Sequence, residues 1–365
     1  MRWVFALVVA VHGVIHLMGF AKAFGLAALP QLTLPISRPM GVLWLIAAAL
    51  TLASAVLVFA WPRGWWAVGG VAVVVSQLVI VSSWSDAKAG TIANVILLLG
   101  VVYGLLTRGP TSFRAEYEHD ASAARSIAST SPITEADLAR LPPPVQQYLR
   151  VTGALGQPRV ERYRARFRGR IRSGPDAAWM PFEADQQSVV DPPTRLFLMD
   201  ATMYGLPVQA FHRYVGPSAT MRVKLAGIVP IVEASGPVMD ESETVTLFND
   251  MCVLAPGSLL EPSIAWEAVD ASTARARFTN GAHTISATLS FDDEGFLTSF
   301  VSDDRSRASA DGRSFTRQRW STPLREPRLY GAVRLASRGD ARWHAPDGEL
   351  VYVELEVLEI DYGAP

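Results

Sequence analysis

The chain has 365 residues, with 33 Lys and Arg against 34 Asp and Glu and a formal net charge of −1. A chain of this length is expected to form two or three structural units, and near-neutrality excludes the basic footprint of a nucleic-acid binder. Its one cysteine, Cys252, excludes an intramolecular disulfide and any Cys-cluster metal site.

Four uncharged runs occupy the first third of the chain: residues 3–21, 39–62, 64–85 and 89–107. About 20 apolar residues cross a hydrocarbon core, so residues 1–107 are expected to form a four-helix transmembrane domain. Trp3, Trp61, Trp65, Trp66 and Trp84 stand at the run ends, as an interfacial belt requires. Met1-Arg2 followed by an apolar run, with Ala21-Lys22-Ala23 behind it, has the form of a signal peptide. Two histidines in the run and three further spans favour a retained helix. The short turn at residues 61–65 implies a tight hairpin between spans two and three. Arg2, Arg63, Arg108 and Arg114 outnumber Lys22, Arg38 and Lys88, which leans towards a cytoplasmic soluble part.

His12 and His16 lie about 40° apart on one helix face. Polar groups at membrane depth are functional candidates, and this pair could bind a metal, a proton or a quinone. No other span offers a His, Cys or acid to complete a metal site, so no metal or cofactor is assigned. The competing reading is a hydrogen-bonded pair, with Ser76, Gln77 and Asn94 as partners.

Residues 108–140 read as a polar connector with a short helix, opened by a capping box at Thr134-Glu-Ala-Asp137. A second helix is expected at 145–151, ended by Gly153. Residues 141–365 then read as a β-rich soluble domain. At 161–172, Tyr163, Ala165, Phe167, Gly169 and Ile171 alternate with Arg162, Arg164, Arg166, Arg168, Arg170 and Arg172, the pattern of a strand with one buried face. Further strands are expected at 221–225, 273–278, 284–291, 296–302 and 350–360. Turn signals at Asn280-Gly281, Asp293-Glu-Gly295, Asp311-Gly312 and Pro346-Asp-Gly348 argue for an antiparallel meander. One helix, residues 240–255, interrupts it. Asp240 is its expected N-cap and Glu243 its N3, and Val245, Phe248, Met251, Cys252 and Ala255 form its apolar stripe.

Strong catalytic signatures are absent: no Gly-x-Ser-x-Gly elbow, His-Glu-x-x-His, Walker loop or Gly-x-Gly-x-x-Gly. His119, His212, His283 and His344 are scattered without ligand spacing. Asp303 and Asp304 would face opposite ways on a strand and are expected at a strand end with an ion pair. Asn249-Asp250 could line a pocket mouth or bond nearby backbone, and the second is the favoured expectation. The six arginines of 162–172 have two readings. They could contact anionic head groups, or they could pair with Glu183 and Asp185 or Glu354 and Glu356 on neighbouring strands.

Several segments resemble a bacterial multi-pass membrane-protein family of unassigned function: Leu141-Pro-Pro-Pro-Val-Gln-Gln-Tyr-Leu-Arg150, Trp179-Met-Pro-Phe182, His212-Arg-Tyr-Val-Gly216, Glu243-Thr-Val-Thr-Leu-Phe-Asn-Asp-Met-Cys252, Ser302-Asp-Asp-Arg305 and Arg319-Trp-Ser-Thr-Pro323. The resemblance spans most of 135–362 and brings no catalytic residue with it. The order of elements is also similar to that of the periplasmic lipoprotein-localisation (Lol-type) carriers. That resemblance implies a curved half-barrel sheet covered by a helix, a bound acyl chain, and a soluble domain on the extracytoplasmic side, against the charge count.

Three functions follow. The first is a non-enzymatic binding module for a lipid, acyl chain or lipidated protein. Its cavity would be lined by Phe167, Ile171, Phe197, Met199, Met221, Val223, Leu225, Leu289 and Phe291 and closed by Phe248 and Met251. The second is an enzyme on a lipid-like substrate, using Asp250 or Asp303. The third is a membrane sensor or assembly factor acting through His12 and His16. The bilayer is the expected partner in all three.

Overall fold

The computed structural model describes residues 2–124, 131–309, 313–346 and 348–363. The expected turn at Asp311-Gly312 and the central residue of the one at Pro346-Asp347-Gly348 lie outside them. The chain divides into two compact units, Met1–Glu116 and Tyr117–Pro365.

In the first unit, four helices are long and apolar enough to cross a membrane. They are α1 (Arg2–Ala23), α2 (Arg38–Ala60), α3 (Trp65–Ser82) and, after the one-turn α4 (Trp84–Ala87), α5 (Gly90–Arg108). Ser37 caps α2 through its hydroxyl, and Pro39 occupies the first turn, where its missing N–H costs nothing. Small residues set the helix spacing. A Cβ on Gly19 would stand 2.2 Å from the Trp44 ring, so α1 and α2 approach at that point only because the side chain is absent. The outward faces keep large apolar groups exposed, including Val4, Leu7, Val74, Ile92 and Leu99.

The second unit carries α6 (Phe113–Ala123) from Tyr117 onward, then α7 (Glu135–Leu138) and α8 (Pro143–Val151). The capping box at Thr134 forms as expected, with Asp137 as its second member. Gly153 ends the α8 segment at φ +77°, a conformation that only glycine adopts freely. The rest is one large antiparallel sheet. Its first meander is β1 (Arg162–Ile171), β2 (Met180–Val189), β3 (Thr194–Met203), β4 (Leu206–Val215), β5 (Ser218–Leu225) and β6 (Val229–Ser235). A long helix, α9 (Pro237–Leu254), follows. The second meander is β7 (Ile264–Ala268), β8 (Thr273–Asn280), β9 (His283–Phe291), β10 (Leu297–Ser302), a separate hairpin of β11 (Ser306–Ala308) and β12 (Phe315–Arg317), then β13 (Trp320–Tyr330), β14 (Val333–Ala345) and β15 (Gly348–Asp361).

The two meanders join at their outer ends in sequence. β1 pairs with β15, so the first and last strands lie mid-sheet. The edges are β6 and β7, the two strands that α9 connects, and they do not pair with each other. The sheet is therefore open and not a closed barrel.

The expected helix at 240–255 begins three residues earlier. Gly236 is its N-cap, so Asp240 and Glu243 do not form the expected capping box. Asp240 instead accepts the backbone N–H of Ala219 on β5. Nearly the whole circumference of α9 is buried, unlike a helix that shows one face to water. Phe248 stacks on Phe278 at 5.2 Å and meets Phe300 edge-on at 5.8 Å. Cys252 is fully buried there, and burial pushes its thiol well above the ordinary value. Tyr148 and Tyr362 donate to the carbonyls of Cys252 and Leu254, groups that a helix C-terminus leaves without internal partners.

Candidate functional site

The apolar stripe of α9 packs on β8 to β10. Its opposite stripe, Met239, Ser242, Glu243, Thr246, Asn249, Asp250 and Val253, follows the 3–4–7 spacing of one helical face and borders a cavity of about 850 Å³. The remaining walls come from both meanders. Phe167, Phe182, Phe197, Met199 and Met221 line one side. Trp320, Leu324, Trp343, Val353, Leu355 and Val357 line the other.

One cluster of charged side chains gathers on the α9 side. Arg195 Nε donates to Asp250 Oδ2 at 2.6 Å, and its Nη1 lies 3.5 Å from Glu243 Oε2. Arg305 donates to Glu243 Oε1 at 3.2 Å and to the Tyr352 hydroxyl at 3.2 Å. Its guanidinium lies 4.4 Å from the Trp320 ring centre and 5.4 Å from that of Trp343. His212 Nδ1 stands 3.7 Å from Glu243 Oε2. Gln186 donates to Asp250 at 2.9 Å, and Thr322 donates to Asn249 at 2.6 Å.

The Glu243 side chain is only 3% exposed. Burial by itself would raise its carboxyl, but the His212 ring and the Arg305 and Arg195 charges outweigh it and hold the group well below the usual carboxylate range. Burial raises the Tyr163 hydroxyl, and the Asp250 charge adds to that. The result is a cavity with many apolar lining groups and a compact cluster of paired charges on the α9 side; Arg172, Arg307, Arg338 and Asp340 also border it.

Of the residues expected around a cavity, Phe167, Ile171, Phe197, Met199 and Met221 border this one. Val223, Leu225, Phe248, Met251, Leu289 and Phe291 do not; they belong to or pack against the filled core. For the helix the error is one of direction. Phe248 and Met251 face β8 to β10, and the polar face turns to the cavity because Arg195, Gln186 and Thr322 wait there as partners. Asn249 and Asp250 accordingly bond side chains across the cavity wall and not nearby backbone. Asp303 does not border the cavity. It receives two hydrogen bonds from Arg319, while Asp304 pairs with Arg317 and accepts the N–H of Ser286.

The arginine strip is an ion-pair ladder. Arg166 meets Asp185 and Glu359, Arg168 meets Glu356, and Arg170 meets Glu354, the last three acids all on β15. Arg164 donates to Gln187. Arg172 donates to the carbonyls of Val351 and Pro175 and lies 4.6 Å from the Trp179 ring centre. Arg162 stands at the start of the same strand. Three of the six arginines are thus paired with acids, as the second of the two sequence readings expected.

In the membrane unit, His12 and His16 are buried and bonded to Ser76 and Asn94, with Gln77 bonded to Asn94. Sequence reading missed Arg195, Glu243, Arg305 and His212 as a group. The available signals were the second periodic stripe of α9 and the polar run Gln186-Gln187-Ser188 inside β2, all three of them buried.

Residues 131–355 match the family described as "Family of unknown function (DUF6544)". The chain belongs to that family. No curated protein matches. Among solved structures, it is similar to a putative outer membrane lipoprotein-sorting protein domain from Vibrio parahaemolyticus, at 11% identity and TM-score 0.32, over 55% of this chain and 84% of that one. It is also similar to a DUF1329 family protein from Desulfovibrio piger, at 11% identity and TM-score 0.35, over 64% and 95%. A LolA superfamily protein from Nitrosomonas europaea matches at 9% identity and TM-score 0.30, over 60% and 94%.

Proposed function

We propose that this chain is a non-enzymatic binding module, anchored in a bacterial cytoplasmic membrane, that holds a lipid, an acyl chain or the acyl group of a lipidated protein in the cavity of its β unit. The observation that carries this reading is the cavity of about 850 Å³, lined by many aromatic and aliphatic groups, with a cluster of paired charges on the α9 side. Cavities of roughly 300–1,000 Å³ with apolar linings and a few placed polar groups are the usual form of small-ligand sites. The alkyl part lies against Phe167, Met199, Met221 and Leu355, and the head faces Arg195, Arg305 and their acids. The enzymatic reading on Asp250 or Asp303 is less favoured, since Arg195 holds Asp250 and Arg319 holds Asp303.

The test is titration of the full chain, reconstituted in amphipol, with the fluorescent fatty acid cis-parinaric acid. Ala341 lines the cavity from β14, and Ala341→Trp fills space there. The expected result is saturable binding displaced by unlabelled palmitate and weakened about tenfold or more by Ala341→Trp, equivalent to roughly 1.4 kcal/mol. Unchanged affinity in a variant that unfolds at the wild-type temperature would sink the proposal.

A further inference from the structure

A second site lies among the membrane helices, and it follows from counting hydrogens. His12 and His16 are 4% and 1% exposed, with ring centres 4.4 Å apart. His16 Nδ1 is 3.1 Å from the His12 carbonyl oxygen, which can only accept, so Nδ1 carries a hydrogen. Ser76 Oγ lies 2.7 Å from His16 Nε2 and 2.8 Å from Asn94 Oδ1, and it has one hydrogen to give. His12 Nε2 lies 3.0 Å from Asn94 Oδ1. The chain continues from Asn94 Nδ2 to Gln77 Oε1 at 2.9 Å and from Gln77 Nε2 to Thr91 Oγ1 at 3.2 Å.

In that orientation Asn94 Oδ1 accepts from both Ser76 and His12. His16 Nε2 must then donate to Ser76, so His16 carries two hydrogens and a positive charge. Turning both amides over satisfies these links a second way, with the same heavy-atom positions, and leaves only the 3.2 Å contact between His12 Nε2 and Ser76 Oγ without a hydrogen between them. Thr91 donates to Gln77, Gln77 to Asn94, and Asn94 Nδ2 to both Ser76 Oγ and His12 Nε2. Ser76 donates to His16 Nε2, which is now bare. His16 is neutral, and the single ring hydrogen of His12 sits on Nδ1. The two arrangements differ by one proton.

We propose that this cluster is a proton-binding site: the His12–His16 pair takes up one proton, and the Ser76–Asn94–Gln77–Thr91 chain reverses direction as it does so. One proton adds at His16 Nε2 and a second at His12 Nε2, and the His12 ring releases its Nδ1 hydrogen, so the net uptake of the pair is one. Every member is a side chain that can point its hydrogen either way, which a fixed structural pin does not need. A cavity of about 560 Å³ borders both rings and gives a proton donor access. Among the described residues that border it, Asp86 is the one other titratable group, and it is committed to Thr33 and the N–H of Leu34. From α2 the neighbour is Trp44, whose ring centre is 5.2 Å from that of His16.

The test uses the full chain in phospholipid nanodiscs with ¹⁵N-labelled histidine, assigned by difference against His16→Gln. Imidazole nitrogen shifts are followed across about pH 5–9, the range over which histidine charge changes are usually seen. The expected result is that His16 becomes doubly protonated on acidification and that His12 changes tautomer at the same midpoint. Both rings keeping one neutral form throughout, or His12 keeping its tautomer while His16 titrates, would overturn the proposal. Asn94→Asp supplies a side chain that only accepts when ionised, and should hold the loaded arrangement to higher pH than wild type. Loss of the loaded form at the wild-type pH or below would overturn it equally.

Discussion

Each unit buries a polar cluster, and the two are built from different chemistry. The membrane helices use His12, His16, Ser76, Asn94 and Gln77, all groups with neutral forms that both give and take hydrogens. The β unit uses Arg195, Arg305, Glu243 and Asp250, which are fixed donors or fixed acceptors once ionised. A neutral cluster can lose one member and let the others turn. An ion-pair cluster cannot, because the opposite charge stays behind in a poor dielectric.

Three measurements sharpen that contrast. The largest effect is expected from Arg195→Ala, which strands Asp250 and Glu243. Removing one partner of a buried pair costs about 3–5 kcal/mol, read as a lowered denaturation midpoint for the β unit. Acidification comes next. The folded value of Glu243 lies below its ordinary 4.5, so the stability it contributes is complete above that pH and drains away as pH falls below it. Glu243→Gln should flatten this loss relative to wild type, whereas parallel pH curves would mean that the carboxylate is not the source. The smallest effect belongs to Ser76→Ala. Hydrogen bonds between membrane helices average about 0.6 kcal/mol and rarely exceed 2. A destabilisation as large as that of Arg195→Ala would erase the distinction between the two clusters.

Much of the fold was legible because it is written in periodicity. Uncharged runs of span length became α1, α2, α3 and α5, and the alternating residues of 161–172 became β1. β9 and β15 also fell where alternation placed them. Strands such as β2, β3 and β13 were not legible. β2 buries Gln186, Gln187 and Ser188 on both of its faces, β3 buries residues from both faces, and β13 contains Pro323 and Pro327. Each breaks the alternation that a sequence reading depends on. The partners of His12 and His16 were legible for a physical reason: few groups in an apolar bundle can satisfy an imidazole.

By itself the sequence determined the four apolar spans, the alternating strands such as β1, β9 and β15, and the apolar stripe of α9. Only the tertiary structure decided where that stripe points. Phe248 went to the core and Glu243 and Asp250 to the cavity because the second meander returns β15 to the side of β1. That closure places α9 between two walls and sets Arg195 and Arg305 against its acids. The same pairing gives Arg166, Arg168 and Arg170 their acids, since Glu354, Glu356 and Glu359 lie more than 180 residues away in the chain and meet them only across the sheet. Charge pairing and cavity lining depend on contacts between distant segments, and local residue patterns do not carry that information.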